Sequence, residues 1–138
     1  MKFTRKAKAH WQGSGKEGKG KLTTDSTVLN NTQYSFKTRF EDGVGTNPEE
    51  LIGAAHAGCF AMQLSFLLGE AGFTPDDLVA NASVLFEDGS ITSVTLDLDG
   101  KVPGISSDKF TEIANKAKEI CPISKLLNTK IILNVTLK

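Results

Sequence analysis

The 138-residue chain has the length of one ordinary domain, and its 16 Lys and Arg residues balance its 16 Asp and Glu residues. A net charge of zero gives no reason to expect a nucleic acid partner, since binding to a polyanion usually needs a basic surplus. The composition, 39% hydrophobic and 23% charged, excludes a disordered chain and allows a packed core. Residues 1–6 are basic but precede no apolar run, so we predict neither a secretory signal nor a membrane anchor, and expect a cytoplasmic protein.

The first forty residues are predicted to form β structure. A strand over residues 2–12, a turn rich in Gly and Lys over 13–20, and short strands across 22–39 indicate an antiparallel meander. Asn30 and Asn31 are predicted to form a tight hairpin turn, because asparagine tolerates positive φ better than other non-glycine residues.

A long helix is predicted after Asn47, which supplies an N-cap, with Pro48 at the first helical position and Glu50 at the third. Residues 51–68 are nearly apolar on every side, and a helix of this length could cross a membrane. The small and polar residues that interrupt this run favour a buried helix in the centre of a folded protein instead; they are Gly53, His56, Gly58, Gln63 and Ser65. The helix is expected to end at residues 69–72.

Two strands, residues 80–87 and 91–102, follow and are predicted to pair through a hairpin at 87–90. A second helix is expected from about Lys109, after a cap at Ser106 or Ser107, and it is broken at Pro122 because proline lacks a backbone donor. A short helical turn at 123–127 and a strand at 130–138 complete the chain. This order predicts an α+β fold in a single domain, residues 1–138.

The two cysteines are 62 positions apart (121 minus 59), which fits neither a disulfide scaffold nor a CxxC metal pair. On composition alone Cys59, inside the apolar helix, is more often a small buried hydrophobe, whereas Cys121 at the helix break is predicted to be exposed or half-exposed. If both thiols serve one function, the economical chemistry is oxidation of a Cys59 thiolate to sulfenic acid, followed by condensation with the second thiol. This chemistry needs a nearby cation, because burial alone raises a thiol pKa.

Arg39, between two phenylalanines in a predicted strand, is the candidate cation, with a solvated charge at a strand end as the alternative. Glu49 or Glu50 could hold its guanidinium, although Glu50 is also the expected capping-box glutamate. Glu49 and Cys59 are ten residues apart, about 15 Å along a straight helix and roughly 80° around it. Either Arg39 bridges them, the helix bends, or the groups come from two copies of the chain.

Two other uses of the polar residues are weaker. His56 precedes Cys59 by three residues on one helical face, so a Cys–His dyad for hydrolysis is conceivable, but no third residue is evident to orient the imidazole. A metal site would need His10, His56, Cys59 and Cys121 together, without any recognised ligand spacing. We therefore expect no metal, and since no GxGxxG or P-loop pattern occurs, no bound cofactor.

Three segments carry a resemblance to a known family. Residues 46–51 (TNPEEL), 54–60 (AAHAGCF) and 121–124 (CPIS) resemble the OsmC/Ohr family of peroxide reductases, and the resemblance covers essentially the whole chain. Residues 9–11, 18–20 and 36–40 are most similar to the OsmC branch. In the Ohr branch the catalytic arginine lies on the first glycine-rich loop, where this chain has Lys16 and Lys19, so the resemblance assigns that role to Arg39.

The resemblance implies an intertwined homodimer, with antiparallel sheets around a long buried central helix and a second helix, and with two active sites at the subunit interface. It also implies a thiol-dependent reductase of organic hydroperoxides that acts in oxidative or osmotic stress defence. Cys59 would be the peroxidatic thiolate, activated by Arg39, which Glu49 holds in place.

Attack on the peroxide would leave a sulfenic acid on Cys59, which Cys121 would resolve to an intramolecular disulfide. A dithiol, lipoyl-type in the family, would then reduce the disulfide. Apolar walls of the substrate pocket would come from four residues, which are equally suited to a core: Phe36, Phe40, Phe60 and Met62.

Two alternatives stay open beside the peroxidase. A thiol hydrolase or acyl-transfer enzyme built on Cys59 and His56 predicts that Cys121 is dispensable and that an acyl adduct forms on Cys59. A non-catalytic stress-induced binding protein predicts that both thiols react slowly and never pair.

Overall fold

The computed structural model describes residues 1–138. The chain divides into two compact units, Met1–Leu51 and Ile52–Lys138, and the division falls inside its longest helix.

The first unit contains a three-stranded antiparallel sheet in the order β1-β2-β3, formed by β1 (Ala7–Gln12), β2 (Lys19–Thr24) and β3 (Thr32–Tyr34). The meander is therefore confirmed, but the predicted tight turn is wrong. Residues 25–31 form a longer connection, closed by a hydrogen bond from the Thr24 amide to the Leu29 carbonyl (3.0 Å). Asn31 does adopt the positive φ expected of it, +49°, and Thr27 adopts a second, +64°.

A short helix, α1 (Phe36–Phe40), replaces the strand predicted for this segment. The physical reason is a capping box: the Ser35 hydroxyl accepts from the Thr38 amide (3.2 Å), and the Thr38 hydroxyl accepts from the Ser35 amide (2.8 Å). These two bonds satisfy donors that a helix start leaves unpaired. Arg39 consequently lies in the last turn of a helix and not on a strand.

The long helix, α2 (Pro48–Glu70), begins as the sequence predicts. The Asn47 side-chain oxygen accepts from the Glu50 amide (2.8 Å), and Pro48 occupies the first helical position, where a missing amide costs nothing. Its end is also as expected: Gly72 has φ +90°, and the Phe73 amide donates to the Leu68 carbonyl (2.9 Å), as in a Schellman motif.

Only one face of α2 is buried in the single chain. Phe60, Leu64 and Leu68 are fully buried, whereas Met62 and Phe66 on the other side are each 64% exposed. The expectation that this helix is buried all round is thus wrong for one chain, because its neighbours cover one face only. Its length and composition alone would allow α2 to cross a membrane, and the core helix of a soluble protein passes the same test.

The second unit contains a three-stranded sheet in the order β4-β5-β6. Strands β4 (Asp77–Glu87) and β5 (Ser90–Lys101) pair antiparallel through the predicted hairpin. Asp88 and Gly89 both have positive φ, +47° and +82°, as a two-residue type I′ turn requires.

Two helices separate β5 from the last strand: α3 (Ser107–Ile120), capped by the Ser106 hydroxyl, and α4 (Pro122–Leu126). Strand β6 (Lys130–Leu137) pairs with β5 in parallel. The α+β class is confirmed, while the expectation of purely antiparallel sheets is wrong for this pair. A helix between two neighbouring strands returns the chain to the end at which the first strand began, so the two strands run in the same direction.

The core of the second unit lies between α2, α3 and one face of the sheet. Val94, Leu96 and Leu98 alternate inward along β5 as predicted, and they are at most 1% exposed. Gly100 continues this face, and a Cβ atom there would overlap the ring of the fully buried Phe110 on α3. Close packing between α3 and the sheet therefore fixes the position of α3, and with it the position of Cys121, which directly follows this helix.

Candidate functional site

Arg39 and Glu49 form an ion pair in the first unit. The Arg39 Nε and Nη2 atoms both donate to Oε1 of Glu49, at 2.9 and 2.8 Å, and the side chains are 39% and 15% exposed. The arginine extends from α1, which the capping box at Ser35 fixes, and the glutamate lies in the first turn of α2. Charge-assisted bonds of this length hold a guanidinium more rigidly than neutral bonds do.

The neighbouring Glu50 has a different partner. Its Oε2 atom accepts a hydrogen bond from the Thr46 hydroxyl at 2.7 Å. Of the two glutamates left open by the sequence, Glu49 is thus the one that pairs with Arg39. The Glu50 carboxylate bonds to a side chain rather than to the backbone amide that a capping box would use.

Arg39 also lines a pocket of about 250 Å³ in the first unit. Its other lining residues are mostly aromatic: Trp11, Gly15, Tyr34, Ser35, Phe36 and Phe40. Phe36 and Phe40 pack with ring centroids 5.0 Å apart, and the Arg39 guanidinium lies 5.1 Å from the centre of the Phe40 ring. An apolar pocket with a cation on its wall suits a largely apolar ligand that carries one polar group.

The four residues suggested for a substrate pocket are not all placed alike. Phe36 and Phe40 line the pocket with Arg39, whereas Phe60 is fully buried in the core of the second unit. Because Phe60 is packed in that core, its position argues against a role as the wall of an open pocket. Met62 is 64% exposed on the uncovered face of α2.

The two cysteines, 62 residues apart in sequence, lie side by side in the second unit. The Cys59 and Cys121 thiols share a hydrogen bond with the two Sγ atoms 2.9 Å apart, and both thiols are free. Cys59 is half-buried, and Cys121 is fully buried. The expectation of an exposed Cys121 is wrong because Phe110, Ala114 and Ala117 form the buried face of α3, and Cys121 continues that spacing.

The Cys59 thiol does not have the lowered pKa that the sequence argument requires. Burial raises the pKa of Cys59 most, its hydrogen bond with Cys121 and electrostatic repulsion from that sulfur raise it further, and a backbone hydrogen bond from Ile123 lowers it. A stable thiolate at neutral pH therefore needs a further cation.

His56 lies one helical turn before Cys59 but bonds elsewhere. Its Nε2 atom is 2.7 Å from the Ser124 hydroxyl, and its buried Nδ1 atom has no hydrogen-bond partner. Burial lowers the pKa of His56, so the ring is neutral. Neither ring nitrogen bonds to Cys59, so the geometry gives a Cys–His dyad no support.

Ser124 is the residue that the sequence argument missed. The sequence did contain a signal: Ser124 falls in the same four-residue segment as Cys121, two residues after the helix-breaking Pro122. Only the fold shows that this segment returns to α2 beside His56.

The structure contains no group of three or more His, Cys, Asp or Glu side chains that could hold a metal ion. It brings together two pairs of reactive residues, the Arg39–Glu49 ion pair in one unit and the Cys59–Cys121 thiol pair in the other. Two thiols within reach of one another can exchange two electrons with an oxidant by forming and breaking one disulfide.

Comparison with known proteins points to one family. The family model described as OsmC-like protein matches residues 40–136. The chain is 49% identical to peroxiredoxin OsmC of Escherichia coli (strain K12) over 142 aligned positions, which cover 100% of this chain and 99% of that protein. It is 30% identical to organic hydroperoxide resistance protein OhrB of Bacillus subtilis (strain 168) over 123 positions, or 86% of this chain and 89% of that one.

Solved structures show the same fold. The crystal structure of Bacillus subtilis OhrB superposes with a TM-score of 0.69 at 27% identity, covering 99% of this chain and 98% of that one. An OsmC-like protein from Mycoplasma pneumoniae superposes with a TM-score of 0.78 at 16% identity, covering 99% of both chains.

Proposed function

Because the chain belongs to the OsmC-like protein family, we propose that it is a thiol-dependent peroxidase that reduces organic hydroperoxides to alcohols in stress defence. The observation that carries this proposal is the contact between the free thiols of Cys59 and Cys121, 2.9 Å apart. A disulfide needs a sulfur separation of about 2.05 Å, so the two sulfurs can bond after a shift of less than about 1 Å.

The reaction has two steps on the protein. The Cys59 thiolate attacks the distal peroxide oxygen, a sulfur–oxygen bond forms as the oxygen–oxygen bond breaks, and the alkoxide takes a proton and leaves as the alcohol. The Cys121 sulfur then attacks the Cys59 sulfenic acid, water leaves, and the two sulfurs form a disulfide. One hydroperoxide and two thiols thus yield one alcohol, one water and one disulfide.

Cys59 is the residue exposed enough to meet a substrate first, because it is half-buried while Cys121 is fully buried. Cys121 is the resolving residue for the same reason. The Ile123 amide hydrogen bond favours a negative charge on Cys59, but burial and Cys121 oppose it. We assign the missing cation to Arg39, which Glu49 orients by accepting from both Nε and Nη2.

A homodimer would complete this site. The uncovered face of α2 is built from small and apolar residues, namely Ala54, Ala55, Gly58, Met62 and Phe66. Small residues allow a second helix to approach closely, and a second copy of the chain offers the same surface in return. The ten-residue spacing between Glu49 and Cys59 on α2 also favours two copies, with Arg39 and Glu49 of one facing Cys59 of the other.

The remaining assignments concern the surroundings of the reaction. We propose a cytoplasmic protein that folds as one domain over residues 1–138 and unfolds in one transition. A dithiol of the lipoyl type would reduce the Cys59–Cys121 disulfide, because a second thiol in the reductant releases the mixed disulfide without outside help. The apolar tail of the hydroperoxide would lie against Phe36 and Phe40 beside Arg39.

A single-turnover experiment tests the peroxidase. Reduced protein is mixed with a stoichiometric dose of cumene hydroperoxide, the remaining peroxide is measured, and the protein mass is determined. The wild type should consume one equivalent and lose two hydrogens, Cys59→Ser should consume none, and Cys121→Ser should carry a sulfenic acid that dimedone traps. A folded and reduced wild type that consumes no hydroperoxide would refute the proposal.

A further inference from the structure

The contact between His56 and Ser124 has no role in the reaction described above. His56 is fully buried, its Nε2 atom is 2.7 Å from the Ser124 hydroxyl, and its Nδ1 atom is buried without a partner. A buried ring nitrogen without a hydrogen bond costs free energy that an apolar side chain would not cost. Packing alone therefore does not explain a histidine at this position, whereas its one hydrogen bond, to Ser124, does.

The contact joins the two segments that carry the thiols. His56 lies on α2, one turn before Cys59, and Ser124 lies on α4, three residues after Cys121. Ile123, which directly precedes Ser124, provides the backbone hydrogen bond to Cys59. Holding Ser124 against α2 thus holds both the second thiol and this amide beside the Cys59 sulfur.

Helix α4 is weakly anchored, since Ile123 is its one apolar side chain that packs against the core and this side chain is only partly buried. It has only five residues, none of them is buried, and its N-terminus has no side-chain cap. A helix this short is not stable by itself, since most helices depend on packing for their stability. The hydrogen bond between His56 Nε2 and the Ser124 hydroxyl joins a side chain of α2 to a side chain of α4, and it adds to the backbone bond from Ile123 to Cys59.

We propose that the His56–Ser124 hydrogen bond is a positioning contact that holds residues 121–124 against α2 and so brings the Cys121 thiol to Cys59. This inference rests on the proposed two-thiol mechanism. His56 and Ser124 touch neither substrate nor the reacting atoms; they set how often the second sulfur lies within reach of the first.

The test uses a thiol–disulfide equilibrium without any peroxide. The protein is equilibrated with mixtures of oxidised and reduced dithiothreitol, so that Cys59 and Cys121 lose two electrons and two protons, and one oxidised dithiothreitol is reduced. Losing one hydrogen bond should lower the equilibrium constant for the protein disulfide about three- to tenfold in Ser124→Ala. Ser124→Thr keeps the hydroxyl and should restore the wild-type value.

Thr129→Val is the matched control, since it removes another half-buried hydroxyl of the same unit, one that donates to the Ile91 carbonyl at 3.0 Å. The control should leave the equilibrium constant unchanged. His56→Phe should lower the constant as Ser124→Ala does, and the double variant should be no worse than either single variant, because both remove the same bond. Circular dichroism melting identifies any variant that does not fold. If His56→Phe does not fold, the Ser124 variants alone test the proposal.

A second readout concerns the amide of Ile123. In a Cys121→Ala background, Ser124→Ala should slow the alkylation of Cys59 by iodoacetamide at neutral pH, because the donor that favours its thiolate is held less firmly. A folded Ser124→Ala protein with the same disulfide equilibrium as Thr129→Val would overturn the inference. A wild-type protein without peroxidase activity would refute the proposed function, but it would leave this measurement unaffected.

Discussion

Two nitrogen atoms of Arg39 converge on a single oxygen of Glu49. Nε and Nη2 both bond to Oε1, while Oε2 of the same carboxylate is buried without a hydrogen-bond partner. The carboxylate therefore fixes the orientation of the guanidinium and retains an unused acceptor at the same place. A side chain that is 39% exposed is held in one position by these bonds instead of moving freely in solvent.

Replacing Glu49 should disturb the peroxidase far more than replacing Glu50. Hydrogen bonds to charged groups contribute about 1.5–3 kcal/mol, so Glu49→Gln should lower kcat/KM for cumene hydroperoxide about ten- to hundredfold. Glu50→Gln keeps an oxygen that can accept from Thr46, and it should change kcat/KM by less than about twofold. The assignment of Glu49 is wrong if the two variants show the reverse order in steady-state assays.

Removing the second thiol should make the first more acidic. Burial raises the pKa of Cys59 most and Cys121 raises it further, so Cys121→Ala leaves burial in place and moves the pKa down toward its usual value. Cys59 should then be alkylated by iodoacetamide faster at neutral pH than in the wild type. The rate is followed against pH with peptide mass mapping, and a pKa that stays unchanged or rises would show that Cys121 has no such effect.

The stability of the protein should fall in mild acid because of His56. Burial lowers the pKa of His56 below 6.5, so the unfolded chain takes up a proton first as the pH falls. Stability is complete above pH 6.5 and is lost below it, by at most about 1.4 kcal/mol per pH unit for one proton. Urea unfolding of His56→Phe at several pH values should lack this loss, whereas the exposed His10→Gln should keep it.

The uncovered face of α2 should bind a second copy of the chain. Met62→Glu places a charge in the centre of that face and should shift the protein from dimer to monomer in sedimentation velocity experiments. Leu126→Glu introduces the same charge at another exposed apolar position, 74% exposed on α4, and should leave the dimer intact. A wild-type protein that sediments as a monomer at micromolar concentration would contradict the dimer.

The packing of α3 on the sheet gives a prediction for stability. In Gly100→Ala the new methyl group would overlap the Phe110 ring, and overpacking of this kind costs about 1–3 kcal/mol. Gly69→Ala on α2 meets no atom within 4 Å and should not destabilise the protein. Chemical denaturation of both variants checks the difference, and equal midpoints would show that the sheet yields without cost.

Local signals made most of the fold predictable. Asn47 and Pro48 mark the start of α2, and Asp88 with Gly89 marks the β4–β5 turn, because capping and positive φ depend on residues only a few positions apart. The Ser35–Thr38 capping box is also local and could have predicted α1. The aromatic residues around Arg39, however, are typical of a core strand, and this pattern predicts a strand where the structure has α1.

Contacts between distant segments were not predictable from spacing. The burial of Cys121 depends on how α3 lies over Gly100, and the partner of His56 is 68 residues away in sequence. The raised pKa of Cys59 follows from these same contacts, since it depends on burial and on Cys121. The parallel pairing of β6 likewise depends on which end of β5 the chain returns to.

In the proposed mechanism, the 62-residue separation of Cys59 and Cys121 means that each reaction cycle closes and opens a large covalent loop. In the chain-entropy model, a cross-link of this length restricts the unfolded chain enough to stabilise the folded form by about 4 kcal/mol. The oxidised protein should therefore melt at a higher temperature than the reduced one. Each reduction returns the chain to its less stable form, so the enzyme is most open to unfolding and to proteases when it is ready to react.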